Sequence, residues 1–274
     1  MDNQKNKQAR YENLIQKVKT CKQCQDCSAV ATPNSVQIAP CKEEFLKEIN
    51  LWTHWEGGKN NLNAKILLLG QDWGCYEGQK AIENIKNNNH YMKNNRCVTN
   101  LNLVELFKQL GYDIENDVAE PGKQMTDLFF SNLVLCYRNK GFSGGFKDKW
   151  ISNCGEYLRE LVEIIEPEVI LCLGRKTFEG TLKAFHFDVP KVEKGKSGYS
   201  KLIAGDQNPF SITYGAEKRE VKIFALAHCG TMGTNNRNYG TGESGLTLQL
   251  KDWKKINLSI KKETAMNLLS PKDK

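Results

Sequence analysis

Three polar residues stand where apolar runs of this chain end, and their types allow chemistry. Asp72 lies in GQDWG directly after KILLLG, Asn132 closes LFFSN, and His228 ends KIFALAH ahead of CGTMG. An aspartate in a glycine-flanked turn can activate a water or stabilise a positive charge opposite it. An asparagine at a strand end offers a donor and an acceptor, which suits reading the edge of a base. A histidine at another strand end can donate a hydrogen bond to an oxygen that becomes anionic. Together the three fit cleavage of a bond between a sugar and a pyrimidine, in which the sugar turns oxocarbenium-like and the base gathers charge on its O2. Singly, each also fits a structural role, as a turn cap or a satisfied core histidine.

Cysteines form the second group. The chain has ten, and its first thirty residues are polar and charged, without the apolar stretch of a secretion signal, which argues against a disulfide framework. Cys172 lies inside the apolar run VILCLG, where it reads as a small hydrophobe, and Cys75, Cys97 and Cys229 are isolated. CKQCQDC holds Cys21, Cys24 and Cys27 in two overlapping CxxC pairs. Two of these three, with Cys136 and Cys154 on either side of a Gly- and Lys-rich loop, would complete a four-thiolate site. Such a site suits zinc or an iron–sulfur cluster, and spacing does not choose between them. Free thiols without metal are the alternative.

The elements that must position these groups follow from apolar periodicity. Tyr11, Leu14, Ile15 and Val18 recur at helical spacing ahead of the cysteines. Residues 28–63 read as a long irregular stretch with a short helix near CKEEFLKEI, and the Asn-rich segment 84–100 reads as an exposed loop. Leu103, Leu106, Phe107 and Leu110 mark a helix face closed by Gly111 as a C-cap. Tyr157, Leu158, Leu161, Ile164 and Ile165 mark another, stopped near Pro167. Phe178, Leu182 and Phe185 mark a third, and Leu246, Leu250, Trp253 and Ile256 a last one. Between them KILLLG, LFFSNLVL, VILCLG and KIFALAH predict four buried strands.

Apolar strands alternating with amphipathic helices imply a three-layer α/β/α domain around a four-stranded parallel sheet. The chain is expected to form one domain: an N-terminal helix and cysteine-bearing segment over 1–63, an α/β core over 64–261 and a flexible tail over 262–274. Ligands of open α/β sheets sit beyond the carboxyl ends of the strands, so Asp72, Asn132 and His228 should meet at one rim.

Composition narrows the class. Thirty-nine Lys and Arg against thirty-two Asp and Glu give a net charge of +7, which favours a polyanionic partner over a membrane. No apolar run approaches the roughly 18–20 residues of a membrane span. A soluble, cytoplasmic monomer is expected.

KILLLGQDWG, FFSNLVLC, CGEYLRELVEIIEPEVILCLG and HCGTMG, in this order, resemble the motifs of the uracil-DNA glycosylase superfamily. The cysteines interleaved with them resemble its iron–sulfur (family 4) branch, and the likeness runs from about Tyr11 to about Arg237. It implies a structural [4Fe–4S] cluster on Cys21, Cys24, Cys136 and Cys154, with Cys27 as the alternative to Cys21, tying the N-terminal segment to the core. It implies DNA as the partner, Asp72 as the water-activating carboxylate and His228 as the group that stabilises the leaving base. Asn132 would read the base, in a pocket with Gly70, Gln71, Trp73, Gly74 and Tyr76. The loop after His228 would enter the minor groove, with Gly230 facing the DNA, Met232 as a wedge and Arg237 pairing with a phosphate.

Several positions depart from the family pattern. Trp73 and Cys229 replace motif prolines. Gly74 stands where other members place a tyrosine that excludes a 5-methyl group, and stacking on the base falls to Trp73, Tyr76 or Tyr91. The expected activity is that of a monofunctional DNA glycosylase of base-excision repair acting on uracil or a modified pyrimidine. Gly74 makes a 5-substituted phage pyrimidine, and hence antiviral defence, the first alternative. A metal-stapled, non-catalytic nucleic-acid-binding protein and a cysteine-based redox switch are the others.

Overall fold

The computed structural model describes residues 2–21, 23–24, 61–72, 98–112, 128–135, 147–191, 196–205, 209–238 and 241–269. Five strands form one sheet: β1 (Ile66–Gly70), β2 (Leu128–Asn132), β3 (Val169–Leu173), β4 (Phe210–Tyr214) and β5 (Arg219–Leu226). Their order is β2-β1-β3-β5-β4. The first four are parallel, and β4 pairs antiparallel with β5 through Phe210↔Ile223 and Tyr214↔Arg219. The sheet is therefore mixed and five-stranded, where four parallel strands were expected.

The additional strand has a physical signature of its own. β2 and β3 are buried at every position and β1 at all but its last, as befits parallel strands covered on both faces. β4 alternates between partly or fully exposed and buried positions, with Ile212 and Tyr214 turned inward. It is an edge strand joined to β5 by the turn Gly215–Lys218, so it carries no continuous apolar run.

Seven α-helices lie among the described residues: α1 (Asp2–Thr20), α2 (Val98–Lys108), α3 (Asp148–Ile165), α4 (Arg175–Ala184), α5 (Lys196–Ala204), α6 (Thr231–Arg237) and α7 (Gly245–Leu269). Alternate strand residues feed two cores, which makes the three layers explicit. Leu67, Leu69, Phe129, Ile170, Cys172 and Ile223 pack in one core with side chains of α1, α3 and α4. Ile66, Leu68, Phe130, Leu171 and Phe224 pack in the other with α2 and α7, through Phe107 and Trp253 among others.

Helix ends follow the expected chemistry. Gly111 ends α2 with φ +90°, and the Tyr112 N–H reaches back to the Phe107 carbonyl at 3.1 Å. Glu166 ends α3 in the left-handed region, ahead of Pro167, which cannot continue the helix. Burial pushes the Glu166 carboxyl up, but hydrogen bonds from Lys7 and Arg219 outweigh this and hold it below the usual range. With Arg10–Glu163 and Lys17–Glu160, the Lys7–Glu166 pair forms a ladder that fixes α1 along α3.

α7 continues to Leu269, so most of the segment expected to be a flexible tail is helical. The segment after His228 was expected as a loop and is the short helix α6. Most of 28–63 and of 84–100 lies outside the described residues.

Candidate functional site

Strand register brings the candidate residues to one rim. Gly70 pairs with Asn132 at the carboxyl ends of β1 and β2, and Leu173 pairs with Leu226 at the ends of β3 and β5. The β1–β2 ladder runs on past the strands, because the Leu133 and Val134 N–H groups donate to the Gly70 and Gln71 carbonyls at 2.9 and 3.0 Å. Asp72 therefore leaves the sheet beside β2, while His228 leaves it two strands away, roughly 10 Å at the usual strand spacing. The chain order reverses between β1 and β3, where doubly wound sheets open a crevice.

Asn132 is buried, and its Nδ2 has no hydrogen-bond partner among the described residues. A buried amide donor left unpaired costs about 1–3 kcal/mol, so its presence at the rim points to a ligand acceptor. Gly70 makes room for it. A Cβ at position 70 would clash with Asn132 Oδ1, well inside van der Waals contact distance, with Cγ 3.4 Å away. Behind Asn132, one small cavity is lined by Ser131, Asn132, Cys154 and Tyr157, so β2 links the rim to the cysteine corner.

The Asp72 carboxylate accepts a hydrogen bond from Gln71 Nε2 at 3.2 Å, and its charge acts on the imidazole of His228. Burial lowers the His228 pKa below its ordinary value, and the Asp72 charge opposes that shift only in part. The ring is therefore neutral near pH 7. The Gly230 N–H donates to His228 Nδ1 at 3.0 Å. Nδ1 must then carry the lone pair and Nε2 the proton, which leaves Nε2–H as a donor.

The backbone around His228 is held from two helices. Gln249 Nε2 donates to the His228 carbonyl at 3.2 Å, and Asn102 Nδ2 donates to the Cys229 carbonyl at 2.6 Å. Thr234 Oγ1 lies within 3.3 Å of both amides. A Cβ at Gly233 would strike the His228 carbonyl, so α6 lies directly against the loop. Sequence reasoning missed Asn102, Thr234 and Gln249. A signal existed for two of them: Asn102 interrupts LNLVELF on the stripe it shares with Leu106, and Gln249 lies on that of Trp253 and Ile256.

Other candidates fall as follows. Gly230 is buried beside the His228 ring, and Met232 is 79% exposed on α6. Arg237 is corrected: its guanidinium is buried and makes a bidentate pair with Asp252, Nε–Oδ2 2.7 Å and Nη2–Oδ1 2.9 Å. The pair joins α6 to α7 and commits the guanidinium to a partner inside the protein. Trp73, Gly74, Tyr76 and Tyr91 lie outside the described residues.

At the cysteine corner, Cys24 and Cys154 are buried in the same apolar core, with Cys21 packed against it. Asn153 Nδ2 donates to Cys24 Sγ at 3.3 Å. Burial, then a hydrogen bond with Cys21, raises the Tyr157 hydroxyl well above its ordinary value, and Cys154 adds to the shift. Three candidate thiols are thus gathered at the junction of α1 and α3, while Cys27 and Cys136 lie outside the described residues. Among the described residues no group of three or more His, Cys, Asp or Glu side chains is arranged to hold a metal ion. Cys172 behaves as expected of a small hydrophobe: it is fully buried in β3, and burial pushes its thiol up to about 12.

The family model described as Uracil DNA glycosylase superfamily matches residues 58–254, more than half of the chain. No curated protein matches the sequence. No helix among the described residues is long and apolar enough to cross a membrane.

Proposed function

The chain belongs to the uracil DNA glycosylase superfamily, and on that premise we propose that it is a monofunctional DNA glycosylase that extrudes a uracil or modified pyrimidine and hydrolyses its N-glycosidic bond. The C1′–N1 bond breaks with its electron pair moving onto the base, where charge collects on O2. Water adds to C1′ and gives up a proton, leaving an abasic site. The Asp72 carboxylate would steady the oxocarbenium-like sugar and orient that water. The neutral His228 would donate Nε2–H to O2, and the orphaned Asn132 Nδ2–H would meet a base carbonyl.

One arrangement carries this reading: Asp72 and His228 follow the carboxyl ends of β1 and β5 at one rim of the sheet, beside the buried Asn132 amide whose donor lacks a partner among the described residues. Two groups of opposite catalytic use, one for a cationic sugar and one for an anionic base, would thereby serve a single extruded nucleotide. Met232 would serve as the wedge that fills the stack behind the flipped nucleotide.

A structural iron–sulfur cluster belongs to the same proposal. Cys21, Cys24 and Cys154 are chemically suited to it and share one corner, with Cys136 as the fourth ligand and Asn153 supporting Cys24. When bound, the cluster would staple the N-terminal segment to the core. A preparation absorbing near ~400 nm, as thiolate-ligated iron–sulfur centres do, tests it; a colourless, iron-free protein with full stability would reject it.

A second reading concerns the substrate. By the family resemblance Gly74 stands where other members place a tyrosine that excludes a 5-methyl group. A glycine there has no side chain to clash, which would favour hydroxymethylated or glucosylated phage pyrimidines and a role in defence. Incubation with DNAs carrying uracil, hypoxanthine, or hydroxymethyl- or glucosyl-pyrimidines, followed by alkali, separates these possibilities. Cleavage at one of the pyrimidines supports the proposal, and intact strands throughout refute it.

A further inference from the structure

The hydrogen bond that sets the His228 tautomer comes from a peptide group that is itself held from outside the loop. Cys229 C=O and Gly230 N–H belong to one planar trans peptide, so they point in opposite directions and turn together. Asn102 Nδ2 takes the carbonyl end of this unit at 2.6 Å, and His228 Nδ1 receives the N–H end at 3.0 Å. We propose that Asn102, on α2, is a positioning residue that fixes the protonation site of His228 by orienting the Cys229–Gly230 peptide.

Other contacts hold the groups on either side of that peptide, and one more reaches its carbonyl only at the limit of hydrogen-bond distance. Thr234 Oγ1 also reaches the Cys229 carbonyl at 3.4 Å, and the Thr234 N–H takes the Gly230 carbonyl at 2.9 Å. Gln249 holds the preceding carbonyl, that of His228. Asn102 and Gln249 are buried, so neither amide can exchange its carbonyl partner for water. Were the Asn102 donor lost, the peptide could rotate, Gly230 N–H would leave Nδ1, and the ring could place its proton on either nitrogen. With Nδ1 protonated, Nε2 becomes an acceptor and repels the O2 it is meant to stabilise. The inference rests on the glycosylase reading for its consequence, but not for its geometry.

Leucine matches asparagine in shape and lacks the donor, so Asn102→Leu is the variant of choice. Side-chain 15N shifts of His228, assigned against His228→Gln, report the tautomer without any substrate. In the parent protein the shifts should show an unprotonated Nδ1 and a protonated Nε2, with a coupling across the Gly230 N–H···Nδ1 bond. In Asn102→Leu both shifts should move toward tautomer averaging. Single-turnover base release should fall about tenfold or more, the worth of roughly one hydrogen bond to a developing charge, while DNA affinity stays within about threefold. Unchanged 15N shifts in the variant overturn the inference, as does a parent protein lacking that coupling, a result readable even if Asn102→Leu fails to fold. A parent protein with the expected shifts but no base release would reject the glycosylase reading and leave the tautomer assignment standing.

Discussion

Gly70→Ala tests the proposed base-reading role of Asn132 through a single methyl group. The added Cβ falls into the space of Asn132 Oδ1, and Asn132 is buried at the end of β2, register partner of Gly70. The amide must turn or the two strand ends must part. If it turns, two base hydrogen bonds are lost at about 1–1.5 kcal/mol each, or about 2–3 kcal/mol in all. That corresponds to a roughly 30- to 150-fold fall in kcat/KM. If the strands part, overpacking costs about 1–3 kcal/mol of stability, readable as a lower urea midpoint. The assay pairs steady-state base release from single-uracil duplexes, or from whichever pyrimidine is accepted, with urea unfolding. A variant with parental kcat/KM and parental midpoint would refute the placement of Asn132 against Gly70.

Two further predictions concern the other side chains of the rim. Arg237→Met leaves the Asp252 carboxylate buried and unpaired, which should cost about 3–5 kcal/mol in urea unfolding. Adding Asp252→Leu should restore much of it, and the double variant should keep the parental salt dependence of DNA binding, because the guanidinium is engaged by Asp252 within the protein. For His228, burial places the folded pKa below that of the unfolded chain. The unfolded state therefore binds the extra proton first, and this contribution to stability, full above the ordinary value of 6.5, is lost as pH falls through the folded pKa. The acid limb of kcat/KM should accordingly inflect below pH 6.5, and at a still lower pH in Asp72→Asn, which removes the opposing charge. An inflection above 6.5 would contradict a neutral imidazole.

Much of this architecture was readable from the chain because buried parallel strands have to be continuous apolar runs. ILLLG, LFFSN, VILCL and KIFAL declare themselves in that way, and the polar residues Asp72, Asn132 and His228 at the ends of three of them mark the rim. β4 escaped notice because an edge strand buries one face only, so FSITY shows weak alternation and no run. α6 escaped because TMGTNNR has no apolar period; its contacts with the His228 loop and the Arg237–Asp252 pair hold it in place. Arg237 misled for the same reason. A lone arginine after a glycine-rich turn looks like a phosphate ligand until Asp252, one helix later, is seen to take its Nε and Nη2 donors in a buried bidentate pair. Asn102 and Gln249 left a trace, a polar residue on an apolar stripe, but their targets are backbone carbonyls, which no sequence pattern announces.

The proposed mechanism requires the carboxylate of Asp72 to act on a sugar whose base is being released toward His228. Single-turnover base release by Asp72→Asn at pH 7 addresses it most directly, since the amide keeps the size of the side chain and removes its charge. Loss of a positioned carboxylate should slow release by about 10²- to 10⁴-fold, with DNA affinity unchanged within a few fold. Release at the parental rate would rule out that role for Asp72.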